Sequence, residues 1–96
     1  MKYNGKHIDI VYTAFPEITR GKIHGVTKES ADSFLILIDN TGCRLQQYHA
    51  LGHELAHVYM DHFTSGRPLA EIEEEANGKA WDYYRAYKSG SLATIS

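Results

Sequence analysis

The stretch Tyr-His-Ala-Leu-Gly-His-Glu-Leu-Ala-His-Val-Tyr, residues 48 to 59, carries two patterns that an α-helix would separate. Two of its three histidines, His53 and His57, are four residues apart and would share one face of a helix. Its apolar residues would share a broad face roughly opposite: Tyr48, Leu51, Leu55, Val58 and Tyr59. The segment therefore predicts a helix over about residues 43–62 that packs its apolar face on a sheet and turns its histidines towards a cleft.

Three segments before this helix have the apolar or alternating pattern of β-strands, and a second helical pattern follows it. The strands are predicted over residues 7–13, 22–27 and 33–39, and the second helix over residues 69–88. Pro68 suits the first turn of that helix, whose acidic start suits the positive end of the helix dipole. This order predicts an α+β fold, with a small antiparallel sheet of about three strands packed on two helices. We expect one domain over residues 1–88 and a flexible tail over residues 89–96.

Length, charge and cysteine content narrow the class of protein. The 96 residues, 43% hydrophobic and 23% charged, are typical of one globular domain. A net charge of −2 gives no electrostatic reason to expect nucleic acid or an anionic membrane as a partner. Cys43 is the only cysteine, which excludes an internal disulfide and a cysteine-based zinc site. Residues 1–6 lack the apolar core of a signal peptide, and no run approaches the roughly 20 apolar residues of a membrane span, so we expect a cytoplasmic protein.

The motif His-Glu-Leu-Ala-His, residues 53 to 57, predicts a metal site and a type of reaction. On a helix, His53 and His57 can each offer a ring nitrogen to the same Zn²⁺ ion. Glu54 lies roughly 100° further round the helix, at the rim of that site, where it can take a proton from water. His49, one turn before His53, is expected to line the cleft rather than to bind the metal.

Two histidines do not complete a catalytic zinc site, which usually has three protein ligands and a water molecule. One known arrangement places a glycine three residues, and a histidine six residues, after the second histidine. Met60 and Phe63 stand at those two positions, so that arrangement is excluded. His62 is one residue off and about 140° from His57 around the helix, too far for the same ion, so it is expected to be a surface or capping residue.

The second helix offers three glutamates as the third ligand: Glu73, Glu74 and Glu75. Glu73 is the first choice, because it shares a face with Asn77, whose side chain could support a zinc-bound histidine. Glu75 is the second choice, since it points to another side of the helix, and Glu74 is the third.

The two helices together resemble the ImmA/IrrE-type metallopeptidase family, whose members have a His-Glu-x-x-His helix followed by a Glu-x-Glu-Ala-Asn-x-Phe-Ala-like helix. The matching positions are His53, Glu54, His57, Glu73, Glu75, Ala76, Asn77 and Ala80. The resemblance spans roughly residues 33–81 and implies a gluzincin-like (zincin-type) domain. It further implies that His53, His57 and Glu73 bind zinc and that Glu54 is the general base. Members of the family cleave helix-turn-helix repressors, often of phage or mobile elements, so the resemblance implies a protein or peptide substrate of that kind.

Two functions from different classes are consistent with these patterns. The first is a zinc-dependent endopeptidase in which an extended peptide adds to the sheet edge near residues 34–38. Tyr83, Tyr84 and Arg85 are then equal candidates for stabilising an oxyanion. The second is a metal-stabilised regulatory or binding module without turnover. It is motivated by Lys79, which stands where the family usually has Phe.

Overall fold

Two helices and a four-stranded sheet make up the computed structural model, which describes residues 1–19 and 22–92. The strands are β1 (Lys2–Tyr3), β2 (Lys6–Thr13), β3 (Gly25–Glu29) and β4 (Ser33–Asp39), and the helices are α1 (Arg44–Tyr59), α2 (Leu69–Ser89) and a short 3₁₀ turn (Glu17–Thr19). Helix α1 packs on β3 and β4, and α2 packs along α1. The largest fully buried side chains come from β4 and α1: Ile36, Ile38, Leu51, Leu55 and Val58. The predicted α+β class is confirmed.

The sheet differs from the prediction in the number and direction of its strands. Its order is β1-β2-β4-β3, with β4 parallel to β2 and antiparallel to β3. A short turn over residues 30–32 reverses the chain between β3 and β4, whereas the connection over residues 14–24 is long enough for β3 to lie beyond β4. The prediction of about three antiparallel strands was therefore wrong, because the sheet is mixed and β1 adds a fourth strand. The second strand, predicted over residues 22–27, begins at Gly25.

Helix α1 ends three residues earlier than predicted, because Asp61 adopts a left-handed conformation with a φ of 56°. The N–H of Asp61 donates to the Val58 carbonyl at 3.2 Å, and the N–H of His62 donates to the His57 carbonyl at 3.0 Å. These two hydrogen bonds are those of a Schellman helix end. The Tyr3 hydroxyl donates to the Asp61 carboxylate, at 3.1 and 3.0 Å from its two oxygens, and ties the turn to β1. The turn reverses the chain and returns His62 to His57.

The two helices approach closely at Gly52, where a Cβ atom would overlap the carbonyl oxygen of Ala80. Ala76 and Ala80 are fully buried, so small residues occupy this part of α2. Contacts from Gly52 to Ala80 and from His57 to Glu73 run in opposite directions along the helices, which are therefore antiparallel. Close packing of small residues thus sets the distance between the two elements that carry the predicted ligands.

The end of α2 extends into the segment predicted as a flexible tail. Gly90, with a φ of 76°, caps the helix, and the N–H of Ser91 donates to the Ala86 carbonyl at 2.8 Å. Leu92 is buried in the core. The rest of the predicted tail, residues 93–96, lies outside the described residues. Across residues 1–19 and 22–92, no helix combines the length and apolar character needed to cross a membrane.

Replacing Gly52 with alanine should destabilise the protein, because the added methyl group would meet the Ala80 carbonyl oxygen. We expect the free energy of unfolding to fall by about 1–3 kcal/mol, as at other overpacked positions. Gly78 is the matched control, since it is exposed in α2 and nothing lies within 4 Å of the Cβ it would gain. Gly78→Ala should raise the free energy of unfolding by about 0.5–1 kcal/mol. Urea denaturation measures both changes, and equal effects of the two substitutions would contradict the close approach of the helices.

Candidate metal centre

Three side chains from the two helices converge on one point. On α1, the Nε2 atoms of His53 and His57 lie 3.0 Å apart. Glu73 reaches across from α2, with Oε2 2.9 Å from His53 Nε2 and Oε1 3.2 Å from His57 Nε2. The histidine side chains are 15% and 10% exposed and that of Glu73 is 45% exposed, so the point lies between the core and the solvent.

The spacing of these atoms fits a single divalent metal ion. Donor atoms about 2.0 Å from a tetrahedral zinc ion lie about 3.3 Å from one another. The three observed separations, 2.9, 3.0 and 3.2 Å, are close to that value. The Glu54 carboxylate lies next to the same point, because His53, Glu54 and His57 each offer a ligand atom within 4.8 Å of the other two. The group can therefore hold a metal ion, and Mn²⁺ or Fe²⁺ would accept the same donors as Zn²⁺.

Both histidines have an environment that suits a metal ligand. Burial, followed by the proximity of His53, lowers the pKa of His57, which favours the neutral imidazole that metals bind. His53 donates from Nδ1 to Asn77 Oδ1 at 2.7 Å, because an amide oxygen only accepts. His53 Nε2, which faces Glu73 Oε2 at 2.9 Å, is then the ring nitrogen that would bind a metal ion. The contact between Asn77 and a histidine, predicted from its spacing to Glu73, is present in the structure.

A series of hydrogen-bond contacts begins at Nδ1 of His57, and the sequence did not predict it. His57 Nδ1 lies 2.9 Å from His62 Nδ1, and His62 Nε2 lies 2.7 Å from Glu75 Oε1. The His62 side chain is only 1% exposed, so the prediction of a surface position was wrong. That prediction continued the helix through residue 62, whereas the turn at Asp61 ends it. The left-handed conformation at Asp61, more typical of glycine or asparagine at a helix end, leaves no clear signal in the sequence.

Glu75, the second choice as a metal ligand, contacts other groups instead. Arg67, in the loop before α2, donates to the two Glu75 oxygens at 3.1 and 3.3 Å. The hydrogen bonds from Arg67 and from His62 lower the pKa of Glu75 to about 2. Glu74, the third choice, is exposed. Of these three glutamates, Glu73 is the one within hydrogen-bond distance of the α1 histidines.

Strand β3 holds Glu54 beside the convergence point. Glu54 is 8% exposed and accepts a hydrogen bond from the Thr27 hydroxyl at 2.8 Å. Gly25 leaves space for it, since a Cβ there would lie 3.0 Å from Glu54 Cγ. Burial raises the pKa of Glu54, and the Thr27 hydrogen bond opposes that rise without cancelling it. A raised pKa brings this carboxylate closer to the range in which a general base works at neutral pH.

The convergence point opens into a cleft of about 850 Å³ bordered by β3 and the two helices. The cleft includes His49, as the sequence predicts. Its apolar lining is contributed by Ile23, Val26, Ala50, Phe63, Leu69 and Ile72. A volume of this size is typical of sites that enclose a small molecule or a few residues of a peptide.

The sheet edge beside the cleft is β3, which ends the strand order. The predicted peptide-binding edge near residues 34–38 was wrong, because β4 pairs with β2 on one side and with β3 on the other. The hairpin that places β3 outside β4 depends on long-range pairing, which the strand pattern alone does not encode.

No protein-family model, curated protein or solved structure matches this chain. The resemblance to the ImmA/IrrE-type family therefore rests on the two helical motifs. In the structure, His53, Glu54 and His57 on α1 form a group that can bind a metal ion.

Zinc should stabilise the folded protein, because the ligand atoms converge only when α1 and α2 are packed together. At free zinc about 100 times the Kd, binding should add about 2.7 kcal/mol to the free energy of unfolding. Glu73→Ala should weaken zinc binding by more than about tenfold, since it removes a ligand rather than a supporting contact. Glu74→Ala, the same change at an exposed neighbour, is the control. Titration calorimetry measures both, and equal affinities would exclude Glu73 as a ligand.

Proposed function

We propose that this chain is a zinc-dependent endopeptidase that hydrolyses a peptide bond in a protein substrate. One observation supports the proposal above others: a metal-binding set and a buried carboxylate meet at the same point of an open cleft. A structural zinc site is usually closed by four protein ligands, whereas His53, His57 and Glu73 leave room for a fourth ligand from solution. This arrangement favours a catalytic site.

Glu54 acts as the general base of the proposed reaction. When bound, the metal ion supplies Lewis-acid activation of water and of the peptide carbonyl. Glu54 accepts a proton from the attacking water and passes it to the leaving amine. The Thr27 hydroxyl fixes one carboxylate oxygen at 2.8 Å, so the other oxygen remains for proton transfer. The raised pKa of Glu54 supports this assignment.

An extended peptide is the substrate that the cleft favours. Among the described residues, β3 is an edge strand of the sheet and borders the cleft, so an added strand can pair with it. Phe63, Leu69 and Ile72 offer apolar surface to the side chains of such a peptide. The resemblance to the ImmA/IrrE-type family adds a helix-turn-helix repressor of a phage or mobile element as the substrate to test first.

The alternative proposal is a metal-stabilised regulatory or binding module without turnover. One observation favours it: Tyr83, Tyr84 and Arg85, the candidates for oxyanion stabilisation, do not line the cleft. His24 and His49 do line the cleft and can donate hydrogen bonds. If the chain is an endopeptidase, these two histidines are therefore the candidates for stabilising the oxyanion.

Glu54→Gln should separate metal binding from hydrolysis. The substitution keeps the size of the side chain and an acceptor for the Thr27 hydroxyl but removes the base. We expect cleavage of a fluorogenic random-peptide library to fall by about 100-fold or more, as for loss of a general base. Zinc content, measured on the same preparations, should be unchanged.

Glu74→Gln is the matched control, because it removes the same charge from an exposed position. Full activity in zinc-loaded Glu54→Gln would exclude Glu54 as the base. A zinc-loaded wild-type protein that cuts neither the library nor any repressor would favour the module without turnover.

A further inference from the structure

We propose that His62, Glu75 and Arg67 form a relay that fixes the tautomer and orientation of His57; the inference rests on the metal site of the proposed function. Arg67 contacts Glu75, Glu75 contacts His62, and His62 contacts the ring nitrogen of His57 that faces away from Glu73. His62 and Glu75 are therefore positioning residues, which act on the metal through His57 without touching it. As a result, His57 Nε2 is the ring nitrogen that is available to bind the metal ion.

The direction of each hydrogen bond follows from the Glu75 carboxylate, which lies at the end of the relay farther from His57. Glu75 can only accept, and Arg67 holds both of its oxygens, at 3.1 and 3.3 Å. His62 Nε2, 2.7 Å from Glu75 Oε1, must therefore carry a proton. When His62 is neutral, its one N–H is on Nε2, so Nδ1 accepts from His57 Nδ1 across 2.9 Å. In that tautomer His57 Nε2 has a free lone pair for a metal ion held together with Glu73, whose Oε1 lies 3.2 Å away.

The burial of His62 argues that this contact does more than fill space. Its side chain is 1% exposed, and an apolar side chain would fill the same volume without a cost for removing polar atoms from water. Both ring nitrogens have partners, and in the described part of the chain no buried side-chain nitrogen or oxygen lacks one. The relay also spans three separate pieces of chain, because the turn after α1 provides His62, the following loop provides Arg67 and α2 provides Glu75. The folding of that turn and loop is thereby linked to the geometry of His57.

Zinc affinity, measured by competition with a chromophoric chelator at neutral pH, tests the relay. His62→Leu should weaken zinc binding by about 10–100-fold, the usual effect of removing a supporting contact. His62→Gln should restore most of that affinity, because its amide can accept from His57 and donate to Glu75. Glu75→Ala should weaken binding by about tenfold. Glu74→Ala, on the exposed neighbour, should leave binding within about twofold of the wild type.

The outcomes separate failure of the relay from failure of the metal site. Tight zinc binding by the wild type, together with equal affinities for Glu75→Ala and Glu74→Ala, would overturn the relay alone. Absence of zinc binding by the wild type would overturn the metal site and the proposed function with it. Long-range proton–nitrogen NMR spectra of the zinc-loaded wild type give a reading that does not depend on any variant. They should show the His62 proton on Nε2, and a proton on Nδ1 instead would contradict the relay.

Discussion

The close packing of α1 against α2, where Gly52 faces the backbone of Ala80, is the constraint on which the site depends. It allows Glu73 of α2 to come within 2.9 and 3.2 Å of His53 and His57 on α1. Metal–ligand distances tolerate changes of only about 0.2 Å, so helices held apart by one extra methyl group would no longer place three donors around one ion. Core packing and the geometry of the candidate metal site therefore depend on the same contact between two backbones.

Polar groups placed against an apolar core also need partners of their own, because an unpaired buried donor or acceptor is costly. The three α1 side chains of the candidate site each receive such support from a different element of the fold. The supporting pairs are Asn77 with His53, His62 with His57, and Thr27 with Glu54. The strand β3, the turn after α1 and the helix α2 thus each fix one group. A divalent cation held between the two imidazoles and the Glu73 carboxylate would accept a lone pair from each of these groups.

The features of this site that follow from helical spacing could be predicted from the sequence. The features that depend on contacts between distant segments could not. Helical spacing placed the two histidines on one face and Glu73 with Asn77 on another, and the structure brings those faces together. The parallel pairing of β2 with β4 depends on the reversal of the chain between β3 and β4, so the predicted antiparallel sheet was wrong. The position of His62 depends on the left-handed conformation of one residue, Asp61. The contact of Thr27 with Glu54 depends on the place of β3 at the edge of the sheet. These three features are decided by tertiary structure, which local periodicity does not report.

We propose that two antiparallel helices hold one divalent ion between His53, His57 and Glu73. Diffraction from crystals of the zinc-loaded protein, recorded on both sides of the zinc absorption edge, tests it most directly. We expect one anomalous peak about 2.0–2.2 Å from both Nε2 atoms and from a Glu73 oxygen. The absence of a peak at that point, or a zinc ion bound through Glu75 with the two imidazoles turned apart, would contradict this metal site.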